Sequence, residues 1–374
     1  MKSKGKVLVG LSGGLDSTVS ALLLQQQGYE VVGVHFQLWH DDKTEALEKN
    51  LPENKCCSLR DLMLARTVAK KLDIPFYVFD FRKRFKQEVV DKFLRDFKKG
   101  LTPNPCVECN RSIKFGFFLE KMRELGCDFV ATGHYIQKIF NAEKNRYEVL
   151  AGKDKYKDQT YFLYTLNQKK LKHILFPMAE YTKDEIREIA RNNNFEEFAK
   201  KRESQGVCFY AEKSHLPFLK RHIPEAFEKG KIRDKNSGEI VGEHDGILNF
   251  TKGQRARLSG LENPKYVYSI DVKKNIVWVC DNEDLFSTEV NIHTVVSVFS
   301  EISDSEVLVK IRHGGDMLPA KFEYTDKNPE ISEKNKTRKT EKLVFSQKIR
   351  SITSGQSAVI YSKKGVLLGG GLMG

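Results

Sequence analysis

Apolar and polar positions alternate along the first third of the chain in two different periods. KVLVGLS (6–12) is a short apolar run and predicts a strand. Asp16 to Gln27 carries Val19, Leu22, Leu23 and Gln26 at helical spacing and stops at Gly28. EVVGVHFQLW (30–39) predicts a second strand, SLRDLMLARTVAKKL (58–72) an amphipathic helix with Ser58 as its N-cap, and PFYVFDF (75–81) a third strand. A basic helix follows over 82–100, ended by Gly100. IKFGFFLEKMRELG (113–126) gives another helix and DFVATGHY (128–135) a fourth strand. Strands alternating with helices of crossover length predict an α/β fold with a doubly wound parallel sheet.

The pattern changes after Gly133. Residues 135–152 read as a hairpin turning at Lys144 and Asn145, and 182–193 as a helix opened by a Thr182–Glu185 capping box. From about Glu212 the chain is rich in strands and turns, and from about Phe286 short alternating strands predict a small barrel or sandwich. The expected domains are therefore 1–212, an α/β catalytic domain, 213–286, a β-rich domain, and 287–374, a small β-barrel. The polar, lysine-rich 325–342 reads as a surface insertion between strands.

Composition narrows the partners. The 374 residues carry 63 Lys+Arg against 50 Asp+Glu, a net charge of +13 that favours a polyanion. No apolar run approaches a membrane span, and the N-terminus enters a strand directly, so the expectation is a cytoplasmic protein without membrane association. Seven cysteines, an odd count in a long chain, do not form a disulfide framework. Cys127 and Cys280 lie in apolar contexts and read as buried packing residues.

Two stretches carry chemistry. GLSGGLDST (10–18) sits between the first strand and the first helix. Gly13 and Gly14 let backbone approach an anion, Ser12 and Ser17 offer hydroxyls, and the helix N-terminus adds positive potential. Asp16 would repel phosphate unless a Mg²⁺ ion bridges the two. The Walker lysine is absent, so this is not a P-loop. TPNPCVECNRSIKF (102–115) places Cys106 and Cys109 three apart. These could be half of a zinc site, a redox pair, part of an iron–sulfur site, or one working thiol with a neighbour. Only adjacent Cys56 and Cys57 could complete a zinc site, and neighbouring cysteines chelate poorly as a pair. Arg111 and a helix starting near Ile113 predict an exposed, low-pKa Cys109, approached by extended chain through Pro103 and Pro105.

SGGLDS resembles the pyrophosphate loop of the ATP pyrophosphatases, which split ATP between the α and β phosphates. With ATGHY (131–135), KDQTYFLYTL (157–166), ESQGVCFY (203–210), VGEHDG (241–246), GQR (253–255), KIRH (310–313), SGQSAVIY (354–361) and LGGG (368–371), nearly the whole chain resembles the tRNA-specific 2-thiouridylase (MnmA/TrmU) family. That resemblance implies ATP-dependent adenylation of the wobble uridine C2 oxygen in tRNA, followed by transfer of persulfide sulfur. It implies ATP and Mg²⁺, a tRNA partner (Lys, Glu and Gln tRNAs), and a sulfur donor such as a cysteine desulfurase or relay protein. Carried over by motif, Cys109 is the nucleophile and Cys208 the persulfide residue, and the two can close a disulfide. Gly10, Leu11, Ser12, Gly13, Gly14, Leu15, Asp16, Ser17, Phe36 and Gly133 match ATP-contacting positions. Asn104, Pro105, Cys106, His134, Lys157, Asp158, Gln159, Arg312, His313 and Gln356 match positions that touch tRNA or its target base.

Three positions depart from the family pattern. Cys106 stands where many members have an Asp thought to move protons, Glu203 where Asp is common, and Phe36 where Met is frequent. The extra thiol raises the hypothesis of an iron–sulfur site on Cys106, Cys109 and Cys208. Two rivals stand beside the thiolase. A ligase of the same ATP chemistry that aminates its acceptor would not need paired cysteines. An RNA-binding module with a vestigial loop would bind tRNA without releasing AMP.

Overall fold

The computed structural model describes residues 3–45, 58–201, 206–260, 262–299, 302, 306–324 and 341–374. Cys56, Cys57, Glu203 and all but the end of the 325–342 insertion lie outside them. The chain divides into two compact units. One comprises Met1–Val90, Pro105–Lys213 and Gly365–Leu367, the other Asp91–Asn104, Ser214–Lys364 and Leu368–Gly374.

The first unit is built on strands β1 (Lys6–Gly10), β2 (Glu30–Gln37), β3 (Phe76–Asp80) and β4 (Phe129–Ala131). A hairpin, β5 (Ile136–Asn141) and β6 (Arg146–Ala151), and a two-residue strand, β7 (Ile174–Leu175), follow. The main sheet has the order β3-β2-β1-β4-β7, with every pair parallel. Val7, Leu8 and Val9 are all fully buried, as a strand covered on both faces requires. One face packs Val19 and Leu22 of the first helix (Leu15–Gln26) with Ala65 and Val68 of Leu59–Lys71 and with Ile186 and Ala190 of Lys183–Asn192. Ser58 caps the second of these through its Oγ, which accepts from Asp61 N at 3.0 Å. Thr182 and Glu185 form the expected capping box, and Asn145 turns the hairpin with φ 47°. From β1 the chain winds outward through β2 and β3, then returns to place β4 on the other side of β1. The C-terminal ends of β1 and β4 therefore flank the point where strand order reverses, the usual ligand crevice of open α/β sheets.

One local expectation fails. The helix predicted from Ile113 begins earlier, with α-helical Pro105–Cys109, π-helical Asn110–Phe117 and α-helical Phe118–Glu124, kinked at Phe115. Proline has no N–H to lose at a first helical position, so Pro105 starts the helix rather than extending the chain before it. Cys109 consequently lies inside the helix and not ahead of its start. The basic helix over 82–100 is present, with a π-helical turn at Lys86–Val90 and Gly100 at φ 74° ending it.

The second unit holds two β structures. β8 (Gly230–Asp234), β9 (Ile240–His244), β10 (Arg255–Ala256), β11 (Lys265–Asp271) and β12 (Ile276–Cys280) form a sheet of order β10-β11-β12-β8-β9. Strands β13 (Phe286–Ser297), β14 (Glu306–Lys310), β15 (Leu318–Tyr324), β16 (Glu341–Arg350), β17 (Ser357–Tyr361) and β18 (Leu367–Met373) close into a barrel. Its core is Ile292, Val309, Phe322, Leu343, Phe345 and Ile360. Phe93 packs against Phe218 of the helix Leu216–His222, and Phe97 stacks on His215, which joins Asp91–Asn104 to this unit. Cys127 and Cys280 are buried, as their apolar contexts predict.

Candidate active site

The glycine loop braces itself. Ser12 N donates to Ser17 Oγ at 3.2 Å, and Ser17 Oγ donates to the Gly14 carbonyl at 3.0 Å. Gly13 has φ +72°, and a Cβ there would lie 2.5 Å from the Asp61 carbonyl oxygen. A side chain at Gly133 would meet Asp16 Cβ at 2.8 Å, so only glycine lets the chain after β4 pass the first helical turn. Gly14, the N-cap of a 12-residue helix, offers no side chain to its first-turn N–H groups. Those donors and the helix dipole suit the loop to a phosphate. The Phe36 ring lies 3.5 Å from where a Gly10 Cβ would stand, beside the loop, with Phe118 edge-on at 4.8 Å.

The positive charge missing from the motif comes from far along the chain. Lys183, only 7% exposed, places Nζ 2.6 Å from Asp16 Oδ1, which also accepts from Tyr135 Oη at 2.7 Å. Lys201 Nζ donates to the Gly13 carbonyl at 3.0 Å and to Asp61 Oδ1 at 2.6 Å. Neither lysine was singled out from sequence. The only available signal was a lysine at the first helical position after a capping Thr, where acidic residues are favoured. The Asp16 side chain remains 35% exposed, so its carboxylate can still take a metal ion.

Cys106, Cys109 and Cys208 come together in the same unit. Cys106 and Cys208 are half-buried, while Cys109 is buried. Burial pushes the Cys106 thiol up to about 11, with the Cys208 charge adding to the rise and Lys114 opposing it. Burial raises Cys109 further still; Lys114 is the largest opposing influence, and Cys208, Cys106 and Glu108 add to the rise. The expectation of an exposed, low-pKa Cys109 is therefore corrected. Its helical position lies beyond the helix start, and the protein interior disfavours its thiolate. The π-helix accounts for the counter-charge. Five residues close a π turn, so Lys114 falls on the side of the helix that Cys109 occupies. Arg111, the cation expected to serve the thiol, instead pairs with Glu108.

Cys208 is held by its neighbour. Phe209 is fully buried against Phe85, with ring centroids 6.1 Å apart. Burying such a ring contributes about 1.5–3 kcal/mol. Tyr210 is also buried, its phenol pushed up to about 12 by burial and then by the Cys106 and Cys208 charges. Among the described residues, no group of three or more His, Cys, Asp or Glu side chains is arranged to hold a metal ion. Nothing in the structure therefore supports the iron–sulfur expectation.

The other matched residues divide between the units. His134 is buried between Phe115 and Phe176, and the Thr132 hydroxyl lies 2.7 Å from its Nδ1. Burial, then Lys114, keeps its imidazole neutral, well below the ordinary range. Gln159 Oε1 accepts from Tyr135 N at 3.1 Å, and Asp158 Oδ1 from Thr160 N at 2.9 Å. Beside Lys157, Tyr156 is fully exposed, a ring that sequence reading passed over. In the second unit, Gln356 Nε2 donates to the Thr102 carbonyl at 2.8 Å, two residues before Asn104. Arg312 and His313 are exposed on the turn after β14.

A parallel sheet whose first strand feeds a glycine loop and an open helix N-terminus at the strand-order reversal defines a nucleotide-binding α/β class. Comparison with known proteins specifies it further. Residues 5–212 match the family model of the tRNA methyl transferase HUP domain, 217–281 the tRNA methyl transferase PRC-barrel domain, and 273–373 the aminomethyltransferase beta-barrel domain. A tRNA-specific 2-thiouridylase MnmA 2 of Clostridium tetani is 43% identical over 373 residues, covering 99% of both chains. A tRNA-specific 2-thiouridylase MnmA of Clostridioides difficile is 39% identical over 371 residues, covering 98% of both. This chain belongs to the MnmA family of tRNA-specific 2-thiouridylases.

Proposed function

We propose that the protein is a tRNA sulfurtransferase that converts a wobble uridine to 2-thiouridine at the expense of ATP. The observation that carries this reading is the grouping of three mutually interacting thiols in the unit that holds the glycine loop. The relatives' names supply the acceptor, tRNA.

The loop N–H groups and the two flanking lysines bind the ATP phosphates, and Asp16 would hold a Mg²⁺ ion that supplies positive charge to the leaving pyrophosphate. The uridine C2 oxygen attacks the α-phosphorus, and pyrophosphate leaves. The terminal sulfur of a Cys208 persulfide then adds to C2, and AMP departs with the oxygen. The Cys109 sulfur attacks Cys208 Sγ, which breaks the S–S bond to the transferred sulfur. C2 keeps that sulfur, and a Cys109–Cys208 disulfide remains for external thiols to reduce. The flanking electrostatics support this order of duties, since a sulfur anion at Cys208 disfavours ionisation of Cys109. His134, buried and neutral, orients the aromatic wall rather than carrying charge. A cytoplasmic location, Lys, Glu and Gln tRNAs as substrates, and a cysteine desulfurase or relay protein as donor complete the reading.

The test is single-turnover transfer from a desulfurase charged with cysteine to unmodified tRNA, with ATP and Mg²⁺. Thiolated tRNA is read by retardation on a mercury gel. Wild type should give a retarded band that Cys109→Ser and Cys208→Ser lack, while both variants still bind ATP. A band that persists in both variants, or AMP release without thiolation by wild type, would refute it.

A further inference from the structure

The second unit carries a cationic surface of its own. Arg255 and Arg257 flank Ala256, which is buried, while both arginines are exposed. This alternation of exposed and buried positions puts the two arginines on one side of the chain. Both line a cavity of about 360 Å³ with Ile232, Phe250 and Gln254, and both also line a neighbouring one of about 710 Å³. Most other cationic side chains on or beside this sheet are paired with carboxylates, Lys231 with Glu243, Lys235 with Asp284, and Lys265 with Asp234 and Asp281, while Arg233 donates to the Gly238 carbonyl. Among the described residues, neither guanidinium has a hydrogen-bond or ion-pair partner. The acidic side chains lining the two cavities are Glu243, already held by Lys231, and Glu262.

An aromatic ring continues the surface. Tyr266 stands directly across the β10–β11 ladder from Arg255, and the Arg350 guanidinium lies 5.0 Å from its ring centroid. Arg350 is fixed there by Asn282 Oδ1 at 3.0 Å. Two unpaired guanidiniums lining the same cavities, next to an aromatic ring, match a nucleic-acid backbone better than a small anion. One phosphate would engage one fork, whereas a strand offers successive phosphates to both.

We propose that Arg255 and Arg257, with Tyr266 at their edge, form a docking surface for the sugar–phosphate backbone of the RNA substrate. This rests on the tRNA reading above and names where in the second unit the polyanion is held. The contacts are sequence-independent, so they set affinity and register without choosing the base.

The experiment is equilibrium binding of unmodified tRNA over a salt series, for wild type, Arg255→Gln/Arg257→Gln and Arg255→Lys/Arg257→Lys. Two lost phosphate contacts should reduce the slope of log affinity against log salt by about 1.4–1.8. The double Gln variant should show that reduction and weaker binding at low salt; the double Lys variant should keep most of the slope. ATP-induced thermal stabilisation, read on the same samples, confirms that each variant is folded. A double Gln variant that is folded and keeps both wild-type affinity and slope overturns the proposal. So does a double Lys variant as defective as the Gln variant, because the fork geometry would then matter structurally and not as charge. Wild type that fails to bind tRNA at any salt would instead sink the substrate reading on which the proposal stands.

Discussion

Replacing Lys183 with Met tests the source of charge at the phosphate loop. The ammonium lies 2.6 Å from Asp16 Oδ1. At an effective dielectric constant of about 20 that separation is worth about 6 kcal/mol of gross attraction. Desolvation offsets most of it, and breaking a fully buried pair costs about 3–5 kcal/mol. Lys183 is buried, but Asp16 is 35% exposed, so water takes over part of its solvation. The expected loss is therefore about 1–3 kcal/mol of folding stability, against a typical total of about 5–15 kcal/mol. The variant should fold. Its nucleotide site should fare worse, because Asp16 is left as an uncompensated anion where phosphates must sit. Losing one charge-assisted contact of about 1.5–3 kcal/mol weakens ATP binding about 10- to 100-fold. Calorimetric titration with a non-hydrolysable ATP analogue reads the affinity, and thermal unfolding reads the stability. Adding Asp16→Asn should recover stability without restoring ATP affinity to the wild-type value. A Lys183→Met protein that is folded and binds the analogue as wild type does would refute the reasoning.

Gly13→Ala should impair the same site by sterics. A Cβ at 2.5 Å from the Asp61 carbonyl and a left-handed φ of +72° together cost more than about 1–2 kcal/mol. They also displace the carboxylate that holds Lys201, so ATP-induced thermal stabilisation should be lost; retention of it would contradict the loop geometry. Thiol titration offers a separate check through alkylation followed by mass spectrometry. Labelling of Cys106 should reach half its limiting rate near pH 11, and that of Cys109 should still be rising there. Lys114→Met should push both higher, and a plateau for either thiol below pH 9 would contradict their burial. The linkage has a definite sign. Both thiols bind their protons more tightly in the folded than in the unfolded protein. Their contribution to stability is therefore complete below the unfolded thiol range and is lost as pH rises through the folded values.

Periodicity made the parallel sheet legible because each strand is a continuous apolar run between helices of obvious amphipathicity. β7 escaped it: two residues, Ile174 and Leu175, carry no period. The barrel was visible as short alternating strands from Phe286, although not its closure, which depends on long-range pairing such as Ile292 with Met373. The glycine loop could be read from composition, since positive φ at Gly13 and the close approach at Gly133 need glycine. Lys183 and Lys201 could not, because their partners lie 167 and 188 residues away and lysine is common in this chain. The sharpest miss was at Cys109. A cysteine beside Arg111 and before an apolar helix looks activated. The helix starts at Pro105, and Arg111 is committed to Glu108. Helix starts are weakly specified when proline can either end an extended segment or occupy the first helical turn.

Burial of Cys109 and its proposed duty as a nucleophile pull in opposite directions, and the local charges reconcile them. A neutral, enclosed thiol resists oxidation, which follows thiolate character and exposure. The same enclosure leaves a thiolate poorly solvated and so more reactive once formed. A second sulfur anion makes forming it harder, because Cys208 and Cys106 each raise the Cys109 thiol further. While sulfur on Cys208 is anionic, Cys109 holds its proton more firmly. Once that sulfur has bonded to carbon its charge is gone, the like-charge penalty is relieved, and Lys114 remains the largest influence favouring ionisation. On the proposed mechanism the second thiol is thus released by completion of the first step. On that mechanism three cysteines in one neighbourhood need not fire together, because their mutual repulsion favours one order of ionisation over the others.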